Sequence, residues 1–147
     1  MLFRSLLLHC DYVAAAPSAM LAFNFVKMAL VPEAASSLLL ARTVGRLKAA
    51  ELLLTGEPLA AQEALALGLV STVCAEGEQL SAARVFAQKL DALPPEALVA
   101  TRKLLQAKSR TVSARIDEEV EVFKHQLASA EFKEAVAAFM QKRAPKY

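Results

Sequence analysis

Two glycines divide one apolar stretch of the chain, residues 49–73, and their placement limits how this stretch can fold. Apolar side chains recur at helical spacing up to Gly56, where the pattern stops, and it restarts over residues 60–67 and stops again at Gly68. The segment that follows, residues 69–73, is short and consists mostly of residues that favour strands. The stretch therefore predicts two helices that lead into a strand.

Extended structure is expected mainly near the start of the chain. Residues 6–16 are apolar and end at Pro17, which is typical of a strand buried on both faces. Residues 19–25 and 70–73 are two further short extended candidates. A buried strand must pair its backbone groups, and the partners it needs are not obvious elsewhere in this sequence.

The remainder of the chain is predicted to be helical. Ser36 and Ser37 are good capping residues for one helix, Gly45 is its stop, and Pro95 is well placed at the start of another. The predicted helices cover residues 36–44, 47–55, 79–90, 95–108, 112–129 and 131–143. In the helix over 112–129 an apolar stripe joins Ile116, Val120, Phe123 and Leu127.

Composition excludes several classes of protein. The 147 residues are 56% hydrophobic and 22% charged, too apolar for disorder, and the formal charge of +2 is spread along the chain, which argues against nucleic acid. No run reaches the roughly 18 to 20 uncharged residues of a membrane span. Cys10 and Cys74 form no metal-binding or disulfide pattern. These features predict a cytoplasmic protein without a metal site, a nucleic-acid partner or a membrane anchor.

Several motifs of this sequence resemble those of the enoyl-CoA hydratase/isomerase (crotonase) superfamily. The stretch over 49–73 is similar to that family's "A-E-L-L-L-T-G" followed by "A-x-E-A-x-x-x-G-L-V-x-x-V". Four shorter matches lie in residues 8–11 ("x-x-C-D"), 30–33 ("G-L-x-P-E"), 40–45 ("L-x-R-x-V-G") and 139–143 ("F-x-x-K-R"). Together they place the chain as the C-terminal portion of a crotonase-type subunit.

The resemblance implies an α/β, crotonase-like fold that is truncated and mostly helical. Residues 1–76 would form the C-terminal part of the spiral β/α core, and residues 77–147 a helical region for trimerisation and for covering coenzyme A. A homotrimer or hexamer is expected. The substrate would be an acyl-CoA thioester, with no separate cofactor.

Glu33 is the carboxylate that the resemblance assigns to catalysis. In the isomerase branch, a glutamate at this "P-E" position moves a proton between C2 and C4 of a 3-enoyl-CoA, giving the 2-enoyl isomer. The neighbours of Glu33 are apolar, which predicts burial and tighter proton binding suited to general base catalysis. The alternative role is a charge at a helix start that interacts with the helix dipole.

Hydration is the alternative reaction of the family and needs two glutamates. Counted from Asp11, their positions fall on Ser5 and Phe25, so isomerisation is preferred. Phe139 and Lys142 match the family residues that pack beside the adenine and reach the phosphates of coenzyme A. Alternatively, Lys142 is a cation favoured at a helix C-terminus.

The family's oxyanion donors are not visible in this sequence. They come from an "A-G-x-D" segment and a glycine-rich turn, both expected before residue 5, and no glycine precedes Gly45. Because such donors are often the largest catalytic contribution, the chain alone is expected to be a poor catalyst. Two alternatives follow: a non-catalytic, truncated oligomerisation or interaction module, or a fragment of an enzyme. His9, Asp11 and His125 are expected to be structural or solvated.

Overall fold

A computed structural model describes residues 5–28, 30–106, 117, 120–121, 123–125 and 127–146. The chain divides into two compact units, Met1–Val85 and Phe86–Tyr147, and the division falls within a helix. The division predicted from the resemblance, a spiral core over residues 1–76 and a helical region over residues 77–147, describes parts of the family fold. That division stays a prediction.

In the described part of the first unit, four two-residue strands form two small sheets. β1 (Ala14–Ala15) pairs in parallel with β4 (Thr72–Val73), and β2 (Met20–Leu21) pairs antiparallel with β3 (Leu59–Ala60). In register, Ala14 lies opposite Thr72 and Leu21 opposite Leu59. The predicted extended segments over 19–25 and 70–73 thus contain β2 and β4. β3 was not predicted, because two residues carry no periodic pattern.

The prediction of a strand over residues 6–16 is largely wrong. Ser5–His9 form a 3₁₀ helix, and only β1 is extended within this range. The turn continues past His9, because the Cys10 N–H donates to the Leu7 carbonyl at 3.1 Å and its thiol to the Leu6 carbonyl at 3.4 Å. Consecutive leucines lack the β-branched side chains that strands favour, and leucine is a good helix former.

The helices α1 (Ser36–Val44), α2 (Arg46–Thr55) and α3 (Ala61–Ala66) contribute buried residues to the core of the first unit. α1 contacts α2 across Gly45, and a second 3₁₀ helix, Val26–Met28, contacts α2. The largest fully buried side chains include Leu40, Leu59 and Val70. The helices lie where the apolar periodicity placed them, which shows that this pattern is set by burial.

Gly56 ends α2 and also allows a close backbone contact. Its φ is 61°, in the left-handed region, and its N–H donates to the Leu52 carbonyl at 3.0 Å. A Cβ atom at this position would lie 2.9 Å from the Cα atom of Asn24. The Lys27 ammonium and Glu57 carboxylate, 2.6 Å apart, join the same two segments. Glycine is thus required here for both conformation and space.

The described residues of the second unit are mainly helical. α4 (Gln79–Asp91) crosses the division, and α5 (Pro95–Gln106) and α6 (Ala130–Gln141) follow. The Glu131 carboxylate accepts from the N–H groups of Glu96 at 2.9 Å and Ala97 at 3.2 Å, satisfying donors in the first turn of α5. The Ser129 hydroxyl caps α6 by accepting from the Phe132 N–H at 3.0 Å.

A helix was predicted over residues 112–129. The residues that the structure describes between Asp117 and Ala128 are helical. Residues 112–116, which include Ile116 of the predicted apolar stripe, lie outside the described part.

Replacement of Gly56 by alanine should lower the free energy of unfolding by about 2 to 4 kcal/mol, because it combines a left-handed φ with overpacking against Asn24. Gly68→Ala is the matched control: Gly68 also has a positive φ, 75°, but no heavy atom lies within 4 Å of the point that a Cβ atom would occupy there. Its expected loss is about 1 kcal/mol. Urea unfolding measures the free energy of unfolding of both variants. Equal losses in the two variants would contradict the close contact between Gly56 and Asn24.

Candidate functional site

Glu33 lies in a turn between the second 3₁₀ helix and α1, and its side chain is exposed. The prediction that Glu33 is buried is therefore wrong for this structure. Its apolar neighbours are themselves exposed, Leu30 by 56% and Val31 by 80%, so they do not enclose the carboxylate. Apolar sequence neighbours cover a side chain only when they share a packed face.

Glu33 is not a helix-start charge. The N-cap of α1 is Ala35, two residues after Glu33, and the first turn of α1 contains no acidic residue. The influence of the helix dipole is limited to about the first turn. The predicted capping by Ser36 is also not found: its hydroxyl donates to the Glu33 carbonyl at 2.6 Å instead of capping the helix.

The two residues that follow Glu33 adopt an uncommon backbone conformation. Ala34 has φ of 50° and Ala35 has φ of 55°, both in the left-handed region that residues with a Cβ atom rarely occupy. The structure gives these alanines the conformation that glycine adopts at lower cost.

A side chain from a distant part of the chain contacts this turn. The Nε2 atom of His9 lies 2.9 Å from the Ala34 carbonyl oxygen, across 25 residues of sequence. His9 was expected to alternate on a strand, and it is instead the last residue of the first 3₁₀ helix. This contact is not predictable from the sequence, since nothing in the local pattern near His9 indicates which residue it contacts.

No carboxylate occupies the two positions matched to the hydratase glutamates. Ser5 is buried, 3% exposed, and Phe25 is half-buried and packs against the core. Asp11 and His125 are exposed. Of the three positions matched to catalytic glutamates of the family, 5, 25 and 33, only position 33 therefore carries a carboxylate.

Phe139 and Lys142 lie together at the C-terminal end of α6. The ring of Phe139 is 82% exposed, and the Lys142 N–H donates to the Phe139 carbonyl at 3.2 Å. Lys142 adopts φ of 51° and ends the helix. Its ammonium group forms no ion pair within the described residues, so it is available to an anion.

The neighbouring cation, Arg143, is already engaged. Its Nη1 and Nη2 atoms lie 2.5 and 3.0 Å from the two carboxylate oxygens of Glu134, a bidentate pair. The Lys146 N–H also donates to Glu134, at 2.8 Å. The hydrogen bond from Arg143, with a smaller contribution from that of Lys146, lowers the pKa of Glu134 to about 2. Arg143 is therefore paired with a carboxylate, whereas Lys142 has no ion pair within the described residues.

The candidate residues fall into two groups that belong to separate units. Glu33 is in Met1–Val85, and Phe139 and Lys142 are in Phe86–Tyr147. An apolar cleft of about 330 Å³ lies beside β1 and β2, where its walls include Ala15, Met20 and Leu21. Glu33 does not line it. Within the described ranges no helix is long and apolar enough to cross a membrane, and no cluster of metal-ligating side chains occurs.

Comparison with known structures establishes the class of fold. A crystal structure of an enoyl-CoA hydratase from Polaromonas sp. JS666 superimposes with a TM-score of 0.93 at 38% identity, over 98% of this chain and 56% of that one. The fold is thus crotonase-like.

Sequence comparison gives the family. The enoyl-CoA hydratase/isomerase family model matches residues 4–147, so the chain belongs to that family. It is 32% identical over 143 residues to 2,3-dehydroadipyl-CoA hydratase of Escherichia coli strain K12, covering 97% of this chain and 56% of the relative. It is 31% identical over 138 residues to 1,2-epoxyphenylacetyl-CoA isomerase of the same strain, covering 93% and 53%. The chain spans about half the length of these relatives, whose names include both a hydratase and an isomerase.

Acidification should weaken the C-terminal end of α6. The folded-state pKa of Glu134, about 2, is below its ordinary 4.5, so its ionised form contributes stability that is present above pH 4.5 and is lost as the pH falls toward 2. Carbon-13 NMR of the Glu134 carboxyl should give a midpoint near 2. In Arg143→Gln the midpoint should rise toward 4.5, and an unchanged midpoint there would contradict the assigned cause.

Proposed function

We propose that this chain is part of an enzyme that isomerises 3-enoyl-CoA to 2-enoyl-CoA thioesters, with Glu33 as the proton shuttle. One observation carries the proposal. Glu33 provides an exposed carboxylate next to exposed apolar residues, whereas the positions matched to the two hydratase glutamates are occupied by Ser5 and Phe25. A single carboxylate suffices for isomerisation, but hydration in this family uses two.

The chemistry requires one base that acts at two carbons. The Glu33 carboxylate removes a proton from C2, and the electron pair of the broken C–H bond delocalises into the thioester as an enolate. The double bond then moves from C3–C4 to C2–C3 as the same proton is returned to C4. Atoms and charge balance without a cofactor or a water. An exposed carboxylate on a short turn can reach both carbons.

The apolar neighbours of Glu33 supply a surface for the acyl chain. Leu30 and Val31 are exposed by 56% and 80%, and Val26 and Met28 in the preceding 3₁₀ helix by 49% and 52%. An acyl chain resting on this surface would exclude water from the carboxylate during proton transfer. A fatty acyl-CoA is therefore the substrate class that the surface suits.

Coenzyme A is proposed to bind at the end of α6. The exposed ring of Phe139 offers a face for stacking the adenine, and the Lys142 ammonium offers a point charge for a phosphate. Val136 and Met140 leave further apolar area on α6, which fits assembly as a homotrimer or hexamer with residues 77–147 as the assembling region.

Glu33→Gln should lower the rate at which the purified chain converts a 3-enoyl-CoA into the conjugated 2-enoyl thioester by about 10² to 10⁴-fold, the usual contribution of a positioned general base. Formation of the conjugated thioester is followed by its ultraviolet absorbance. Glu78→Gln is the matched control, since Glu78 is another exposed glutamate of the same unit, and it should retain the full rate.

Two outcomes would contradict this proposal. An unchanged rate in Glu33→Gln would remove Glu33 from catalysis, and loss of absorbance when a 2-enoyl-CoA is supplied would indicate hydration. If folded protein shows no turnover of either substrate, the chain by itself is not a working isomerase, and the two alternatives, a fragment of an enzyme and a non-catalytic assembly module, are left.

Lys142→Gly should separate stability from coenzyme A binding. Because Lys142 has φ of 51°, glycine should raise the free energy of unfolding by about 0.5 to 1 kcal/mol, while loss of the charge should weaken coenzyme A binding by roughly three- to tenfold. Thermal unfolding and calorimetric titration measure the two effects. Lys142→Gln should weaken binding without the gain in stability, and Lys133→Gln should leave binding unchanged. Equal binding by all variants would contradict the role of Lys142.

A further inference from the structure

His9 holds the turn that presents Glu33. Its Nε2 atom is 2.9 Å from the Ala34 carbonyl oxygen. A carbonyl can only accept, so Nε2 must carry the proton in this contact. His9 is the last residue of a 3₁₀ helix, Ser5–His9, that contacts α1 and begins at the buried Ser5. The donor is therefore fixed to a packed element and not to a free loop.

The turn needs such restraints because its backbone is costly. Ala34 and Ala35 both have positive φ, and conformations of this kind persist only where surrounding contacts fix them. The Ser36 N–H and hydroxyl both donate to the Glu33 carbonyl, at 2.9 and 2.6 Å. The Ala35 carbonyl accepts from two N–H groups of α1, those of Leu38 and Leu39, each at 3.0 Å.

These restraints differ in what they connect. The bonds to the carbonyls of Glu33 and Ala35 come from residues of α1 that directly follow them, so they fix the turn only against its own helix. The bond to the Ala34 carbonyl comes from His9, a residue 25 positions earlier. It alone among the bonds described at this turn ties the segment to a different element.

We infer that His9 is a positioning residue for Glu33: it keeps the Ala34–Ala35 turn in its left-handed conformation and thereby fixes the direction in which the carboxylate leaves the backbone. This inference rests on the proposed role of Glu33 as proton shuttle. His9 itself touches no reacting atom. Loss of its bond would reduce the fraction of molecules whose carboxylate is correctly placed, which lowers kcat more than it changes KM.

The matched pair His9→Gln and His9→Asn tests the inference. The Gln side chain can place a donor nitrogen near the position of the histidine Nε2, whereas the Asn side chain is one methylene shorter and cannot. Both are polar, and position 9 is exposed, so neither change disturbs the core. His9→Asn should lower kcat by about three- to tenfold, as expected for one lost hydrogen bond, with KM nearly unchanged. His9→Gln should restore most of the rate.

A second readout does not depend on turnover. Residues with positive φ give a strong nuclear Overhauser effect between their own amide and α protons, so NMR reports the conformation of Ala34 and Ala35 directly. The signals should stay strong in the unmodified chain and in His9→Gln, and should weaken in His9→Asn. The Nε2-protonated form of His9 should be observed by nitrogen-15 NMR.

The outcomes separate the two ideas. Unchanged signals for Ala34 and Ala35 in His9→Asn would overturn the inference, even if Glu33→Gln abolishes isomerisation. If Glu33→Gln leaves the rate unchanged, or no turnover exists, the proposed function fails and the catalytic meaning of His9 fails with it. Weakened signals in His9→Asn would then still show that His9 holds the turn.

Discussion

The close approach of Gly56 to Asn24 is the constraint on which the first unit depends. Because no Cβ atom intervenes, the end of α2 can lie against the segment that follows β2, and the chain leaving Gly56 enters β3 directly beside β2. Leu21 and Leu59 are thereby paired and buried. The ion pair between Lys27 and Glu57 holds the same contact from the solvent side. The glycine that marks the family in sequence is thus required by packing, not by chemistry.

This contact also orders the segment that carries Glu33. The second 3₁₀ helix, Val26–Met28, contacts α2, and the Leu30 N–H donates to the Phe25 carbonyl at 2.9 Å, so the chain is fixed just before the turn. After the turn, α1 contacts α2, and Leu40 of α1 is buried in the core. Both ends of the Glu33 segment are therefore anchored to one helix, and the turn between them has few conformations available.

Sequence predicted those parts of the structure that depend on local chemistry. Glycine stops and apolar periodicity located α1, α2 and α3, because each depends on residues within one or two helical turns. The 3₁₀ helix of Ser5–His9 was taken for a strand, since a short leucine run suits either structure. The exposure of Glu33 and its link to His9 were not predictable, because both depend on which distant residues pack nearby. The roles of Phe139 and Lys142 in binding coenzyme A stay predictions. The structure places these two residues together at the end of α6.

The strained turn suits the proposed role of Glu33, in which one carboxylate acts at two positions. A base that serves both C2 and C4 of one substrate needs a mobile side chain on a fixed backbone, since movement of the backbone would spread the carboxylate over unproductive positions. Ala34 and Ala35 supply a sharp change of direction that ordinary helical or extended backbone does not, at a conformational cost of about 1 to 2 kcal/mol per residue. The bonds from Ser36 and His9 offset this cost. Under the proposed function, the position of the Glu33 carboxylate would therefore depend on residues that do not act on the substrate themselves.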